Sequence, residues 1–128
     1  MELLSTNDHL TISYERDTKI LICKWHNHQS VESIRYNGAL ILEAFKHHGA
    51  SKVLNDNLDV EGQWEGAIDW TIHHWFPAMT NAGLKHFAWV LSKDIFARVS
   101  AKRAGEQFDS VRFFRSYRYA HDWLSQIH

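Results

Sequence analysis

Cysteine occurs once in the 128 residues, at Cys23, so no internal disulfide can form and a fold held by oxidised cross-links is excluded. Proline also occurs once and glycine six times, and no stretch reads as a linker, a repeat or a low-complexity segment. No segment approaches the roughly 18 consecutive apolar residues of a membrane-spanning helix. The opening Met-Glu-Leu-Leu-Ser-Thr-Asn-Asp has neither a basic region nor a long apolar run. These absences predict a soluble, cytoplasmic protein without integral membrane association, in which Cys23 serves in packing. The length fits a single domain spanning 1–128.

There is also no large charge of either sign: the formal net charge is -1, and no nucleic-acid partner is expected. The charge is uneven, however. Residues 1–84 carry 6 Lys and Arg against 11 Asp and Glu, whereas residues 85–118 carry 8 against 3. That last third reads as a solvated basic face, of a kind that can also attract phosphate, anionic lipid or an acidic partner; Arg98, Lys102 and Arg103 are its centre.

What is present is a rhythm of short β-branched and aromatic runs alternating with amphipathic helical stretches, which argues for a mostly parallel α/β sheet. His9 to Tyr14 alternates with Leu10, Ile12 and Tyr14 on one face. Lys19 to Trp25 is a second strand, and the short polar Glu15-Arg16-Asp17-Thr18 between them predicts a hairpin. Ser30 is placed to cap a helix to about His48, with Ile34, Gly38, Ile41, Leu42 and Phe45 on one stripe and Gly49 as its stop. Ser51 to Asp56 reads as a strand and Asn57 to Gly62 as a polar loop. A helix follows with Trp64, Ile68, Ile72, Trp75, Phe76 and Met79 on its buried stripe. Lys85 to Leu91 is the next strand, Ser92 the expected cap of a helix over Lys93 to about Gln107, Val111 to Phe114 the last strand, and Ser116 the cap of a final helix.

Right-handed crossovers make the strands ending at Trp25, Asp56, Leu91 and Phe114 parallel. Ligands of open α/β sheets bind outside the carboxyl ends of such strands. That rim collects Trp25, His26, Asn27 and His28, then Asn55, Asp56, Asn57 and Asp59, then Ser92, Lys93 and Asp94, and finally Arg115 and Ser116. Ten histidines invite a metal, and His26 and His28 near Asp56 are the only ones with suitable placement. No His-Glu-x-x-His or Cys-x-x-Cys pattern supports it. Asn55 to Glu61 alternates oxygen side chains as a calcium loop does, but Val60 stands where the sharp turn needs glycine and Gly66 where the last ligand should be glutamate. Ser92, His26 and Asp56 form a conceivable triad, yet no glycine-flanked nucleophile elbow is present. Trp64, Trp75 and Trp123 read as core. Trp25 and Trp70 read as either core or a partner surface.

Several segments together, Leu10-Thr11-Ile12-Ser13-Tyr14, Leu54-Asn55-Asp56-Asn57, Trp75-Phe76-Pro77, Ala82-Gly83-Leu84 and Val90-Leu91-Ser92-Lys93-Asp94, resemble the small stand-alone SpoIIAA-like bacterial proteins of the STAS superfamily, the fold of anti-sigma-factor antagonists. The resemblance covers nearly the whole chain. It implies a regulatory module without catalysis that binds a protein partner or small ligand around the loop and helix after the central strand. The antagonists carry a phosphorylatable Ser or Thr there. Asn55 to Gly66 contains neither, and Asp56, Asp59 and Glu61 supply unmodified negative charge in that stretch.

The expectation is therefore an α/β domain of STAS, SpoIIAA-like type: an N-terminal hairpin, then strand-helix units, giving a mostly parallel five-stranded sheet with about four helices. It is read as non-catalytic and without cofactor, with its binding site at Asn55, Asp56, Asn57 and Asp59 and with Trp25, His26 and Ser92 adjoining. Ser92 and the amides of its helix N-terminus would receive an anionic group. The partner would be a regulatory protein or a small ligand, with homodimerisation through a sheet edge or exposed face as an option. The alternative is a small metal-dependent or hydrolytic enzyme using His26, His28 and Asp56.

Overall fold

The alternating and helical patterns resolve, in the computed structural model describing residues 1–127, into six strands and four helices. In chain order these are β1 (Glu2–Thr6), β2 (Leu10–Glu15), β3 (Ile20–His28), α1 (Val31–His48), β4 (Lys52–Glu61), α2 (65–81), β5 (His86–Val90), α3 (Ile95–Gly105), β6 (Val111–Phe114) and α4 (Tyr117–Ser125). The strands lie in one sheet in sequence order. β1–β2 and β2–β3 pair antiparallel, and β3–β4, β4–β5 and β5–β6 pair parallel. The expected hairpin and crossover units are all there. The sixth strand, β1, was not expected: it is an edge strand with a register shift between Leu3 and Ser5, and its half-exposed residues carry no alternation to read.

The helix ends follow their capping chemistry. Ser30 Oγ accepts from Ser33 N at 3.0 Å, and Ser33 Oγ accepts from Ser30 N at 2.9 Å, a reciprocal cap for α1. Gly49 ends that helix at φ 61°, a left-handed conformation. Ser116 caps α4 by accepting from Tyr119 N. α3 is different from expectation: its cap is Asp94, which accepts from Phe96 N at 2.9 Å, and the helix starts at Ile95 rather than Lys93. Ser92 is turned into the interior instead.

α2 is not uniform. It opens with a 3₁₀ turn (Glu65–Ala67), continues as α-helix (Ile68–Trp70), widens to a π turn (Thr71–Trp75) and closes as α-helix (Phe76–Asn81). In the π turn Phe76 N–H bonds Thr71 O. Pro77 follows directly, and a proline there lacks a donor and crowds the carbonyl four residues back. Widening the preceding turn relieves that crowding.

The second departure from expectation is β4, which runs on through Asn57–Glu61 where a polar loop was expected. The pairing Lys24↔Asp56 steps to His26↔Asp59, so β4 has one extra residue against β3 there. Such a bulge reverses the alternation beyond it, which brings Val60 back to the face that carries Asn55 and Asn57. That face bears the larger core, with Leu21, Cys23, Val53, Phe87 and Trp89 under α1, α2 and α3. Burial there pushes the Cys23 thiol pKa far up, consistent with packing. The other face bears Ile20, Ile22, Leu54, Ala88 and Val90 under Ala120 and Leu124 of α4.

Lys52 fixes α4 in place. Its Nζ, on a buried residue, donates to Leu124 O at 3.0 Å and Ile127 O at 2.7 Å, satisfying terminal carbonyls at the negative end of the helix. Burial, and secondarily Lys19, draws its pKa down. Glu15 ties the hairpin to the same helix, accepting from Thr18 Oγ1 at 2.5 Å and lying 2.7 Å from His121 Nε2. Burial raises the Glu15 carboxyl, but the hydrogen bonds from Thr18 and His121 and the His121 charge outweigh it, and the net pKa lies below its ordinary value.

Replacing Lys52 with Met, which keeps the stem and removes the donor, is expected to cost about 2 kcal/mol in urea denaturation; an unchanged midpoint would show that the two carbonyls do not depend on it. For Glu15 the depressed pKa means that its stabilisation is present above its unfolded value of 4.5 and is lost as pH falls through the lower folded value. His121→Ala is therefore expected to raise the Glu15 pKa in a carboxyl-carbon NMR titration, and to destabilise more at about pH 5.5 than at about pH 3.

Candidate functional site

The parallel register places Asn55 between Cys23 of β3 and Trp89 of β5, and Trp25, two residues beyond Cys23, presents the same face where the register shifts. α1 and α2 roof this region, leaving a cleft lined by Trp25, Gln29, Ile34, Gly38, Asn55, Asn57, Val60, Trp64, Trp70, Thr71, Trp75, Phe87 and Trp89. Five of the six tryptophans of the chain meet there. Trp64 and Trp89 stack with centroids 6.2 Å apart, and Trp75 meets Phe87 edge to face at 5.9 Å. Their close approach to α1 depends on Gly38. A Cβ at that position would lie 2.8 Å from Trp70 Cη2 and 3.1 Å from Trp75 Cδ1.

The polar groups of the cleft form a relay whose direction is fixed by chemistry. Trp25 Nε1 can only donate, and it donates to Asn55 Oδ1 at 2.8 Å. Asn55 must then offer its amino group, which donates to Asn57 Oδ1 at 3.2 Å. The Asn57 amino group is thus the free end, with no acceptor among the described residues. Trp75 Nε1 is satisfied by Gly38 O at 2.8 Å, and Thr71 Oγ1 by Ala67 O. Trp89 Nε1 is not: the residue is 3% exposed and its indole N–H has no acceptor among the described residues. One edge of that indole lies against α3, since a Cβ on Gly105 would be 2.9 Å from Trp89 Cζ3. Nε1 lies on the edge of the ring opposite that contact, and the residue lines the cleft.

The free volume is small, about 40 Å³. That admits a few water-sized bodies; a benzene-binding cavity engineered elsewhere measures about 150 Å³. A ring-sized guest therefore needs a wall to move. Trp70 is the half-buried indole of the set, with the Arg35 guanidinium over its ring at 6.0 Å from the centroid.

The expected site residues divide between the two faces of the sheet. Trp25, Asn55 and Asn57 line the cleft. Asp56 points to the opposite face, where it is buried, accepts from Leu58 N at 3.0 Å and lies 3.4 Å from Lys24 Nζ. Asp59 is exposed and 3.0 Å from the same Lys24. Burial would lower the Lys24 pKa, but Asp59 and Asp56 overcome that and raise it. The hydrogen bond from Lys24 and its charge hold the Asp59 carboxyl below its usual range. These two carboxylates thus serve an ion pair on the α4 side, away from Asn55 and Asn57. His26 Nε2 lies 3.2 Å from Thr11 Oγ1 on β2.

Ser92 is not a helix cap, a correction to expectation. It is 3% exposed, and its hydroxyl donates to Val60 O at 2.5 Å and accepts from Asp94 N at 3.0 Å. Nor can the following helix N-terminus receive an anion as expected, because the Asp94 carboxylate already occupies it and also accepts from Gly62 N at 2.7 Å. Those amide hydrogen bonds depress the Asp94 pKa. His28 lies over Gly62 and 3.7 Å from Glu61, so His26, His28 and Asp56 do not converge. Among the described residues no group of three His, Cys, Asp or Glu side chains is placed to hold a metal. Sequence reasoning missed Gly38, Val60, Phe87 and Trp89 as cleft residues, and Trp64 and Trp75 read as core. In a strand or stripe of apolar residues nothing distinguishes a cleft wall from a filled core.

No protein-family model matches the chain, and no curated protein is significantly similar to it. Among solved structures, an uncharacterized protein of the DUF3478 family with a SpoIIAA-like fold, from Shewanella loihica PV-4, superposes with a TM-score of 0.59 over 94% of this chain and 98% of that one, at 20% identity. The chain has a SpoIIAA-like α/β fold, as its sequence resemblance implied.

Gly38→Ala is expected to force Trp70 or Trp75 away from α1 and to cost about 1–3 kcal/mol. Thermal unfolding reads the cost and the indole N–H resonances of Trp70 and Trp75 the displacement; unchanged resonances would show that the packing at Gly38 is loose.

Proposed function

We propose that this protein is a non-catalytic binding module of the STAS kind whose site is the tryptophan-lined cleft at the carboxyl ends of β3, β4 and β5. Its ligand is small, apolar and flat, and carries a hydrogen-bond acceptor. The observation that carries this reading is that one cleft is lined both by Trp89, whose buried indole N–H has no acceptor among the described residues, and by Asn57, the free amino end of the Trp25–Asn55–Asn57 relay. A buried donor left unsatisfied costs about 1–3 kcal/mol, which an acceptor brought in from outside the chain recovers. The indole walls contribute apolar and stacking contacts, and the two N–H groups contribute orientation, the usual division of labour in a small-molecule site. Asp56 and Asp59, engaged by Lys24 on the other face, are left out of the site. Lacking a Ser or Thr between Asn55 and Gly66, the module is not switched by phosphorylation in that stretch. It responds to what occupies the cleft.

Coumarin and naphthalene test this directly, being bicyclic probes of like shape of which only coumarin has a carbonyl acceptor. In a ¹⁵N-resolved NMR titration coumarin is expected to move the Trp89 indole and Asn57 side-chain amide resonances and to bind more tightly than naphthalene. Asn57→Leu should narrow that difference, and Trp70→Ala should strengthen both by opening the wall. If neither probe moves these resonances even in the folded Trp70→Ala variant, the cleft is not a ligand site.

A further inference from the structure

A second cavity opens at the same rim but on the far side of the Ser92–Val60 hydrogen bond, and it shares no lining residue with the aromatic cleft. Leu58, Leu91, Ser92, Lys93, Arg98, Lys102 and Arg115 line it, around about 300 Å³. We propose that it is a phosphate-binding site, taking the phosphomonoester group of an organic ligand.

Four of its seven lining residues are cationic and none is acidic. They come from three separate places: Lys93 from the β5–α3 connection, Arg98 and Lys102 from successive turns of α3, and Arg115 from the residue after β6. Convergence from three elements is a tertiary arrangement, not a consequence of a basic helix alone. Among the described residues Lys102 and Arg115 have no carboxylate within ion-pair distance, and neither does Arg98. Arg98 is instead held by its own neighbourhood, with Nε donating to Ser92 O at 3.2 Å and Nη2 to Lys93 O at 3.4 Å. That fixes the guanidinium plane and leaves donors over. Arg98 and Lys102 are also four residues apart on one helix face, a like-charge spacing that works against the helix.

The nearby acids are already committed. Asp59 feels the charge of Lys93, but its hydrogen bond is to Lys24 at 3.0 Å. Both oxygens of Asp94 accept backbone amides. Uncompensated cations around a concave site raise the local potential and concentrate anions. A guanidinium fork with two flexible ammonium groups suits the three oxygens of a phosphate. The source of the phosphate, a soluble metabolite or a lipid headgroup, shares this chemistry.

Arg103 is the internal control. It has the same charge and lies on the same helix, but it pairs with Glu65 at 3.1 Å and does not line the cavity. Calorimetric titration with inorganic pyrophosphate is expected to show binding to the wild-type protein that weakens with added salt. Lys102→Ala and Arg115→Ala, both exposed positions where folding is not at risk, should each weaken it about tenfold, and Arg103→Ala should leave it within about twofold. No binding at millimolar pyrophosphate overturns the proposal. So does an equal loss in Arg103→Ala, which would reduce the effect to general attraction. With the site established, glycerol 3-phosphate and phosphatidylcholine vesicles containing phosphatidic acid distinguish the two sources, and either one binding in an Arg115-dependent way supports phosphate recognition. Failure here leaves the aromatic cleft untouched, since coumarin reports on residues that do not touch this cavity.

Discussion

The central strand β4 must bury polar side chains on both of its faces. Lys52, Asn55, Asp56 and Asn57 are all buried there, and a buried polar group is tolerated only when it is paired. Much of the rest of the molecule answers that demand. Lys52 is satisfied by the carboxyl end of α4, which seats that helix; Asp56 by Lys24 and a backbone amide, which closes one face against β3; Asn55 by Trp25, which sets the wall of the cleft. Asn57 ends the series with its amino group unclaimed, so the same constraint that organises the fold leaves a donor at the site.

The aromatic cleft shows how bulk and close approach are balanced. Five indoles could not share one side of a six-stranded sheet if every neighbouring position carried a side chain. Gly38 gives room on α1 for Trp70 and Trp75, and Gly105 gives room on α3 for Trp89. The π turn of α2, which ends two residues before Pro77, offsets the phase of the helix where Thr71 and Trp75 enter the cleft wall. The result is nearly filled, with free space for little more than a few water-sized bodies. Recognition in such a site is decided by which wall yields and by which donors await an acceptor, more than by volume.

Electrostatics separates the rim into regions of different character. On the α4 side Lys24 pairs with both Asp56 and Asp59. In the cleft the polar side chains are neutral amides, indoles and the Thr71 hydroxyl. Beyond the Ser92–Val60 hydrogen bond, Lys93, Arg98, Lys102 and Arg115 stand without acidic partners in the cavity they line. Four of the eight Lys and Arg of residues 85–118 are thus gathered at one place in space.

The strand-helix rhythm, the hairpin, the Ser30, Gly49 and Ser116 caps and the parallel crossovers were all legible in the sequence, because each rests on residues within a few positions of one another. Edge strand β1 was not, since pairing at an edge needs little pattern of its own, and the extension of β4 was hidden because Asn57 to Glu61 has the composition of a loop. The candidate site was legible as a neighbourhood but not as an arrangement. Asn55, Asp56 and Asn57 are consecutive, yet alternation sends Asp56 to one face and the two asparagines to the other, and the side chains that Asn55 and Asp56 meet on β3, Trp25 and Lys24, lie 30 and 32 residues away. Local sequence determined which elements form and in what order. Only the tertiary structure decided which side chains meet, because burial, register and the bulge that resets the alternation of β4 are properties of neighbouring strands and not of any one of them.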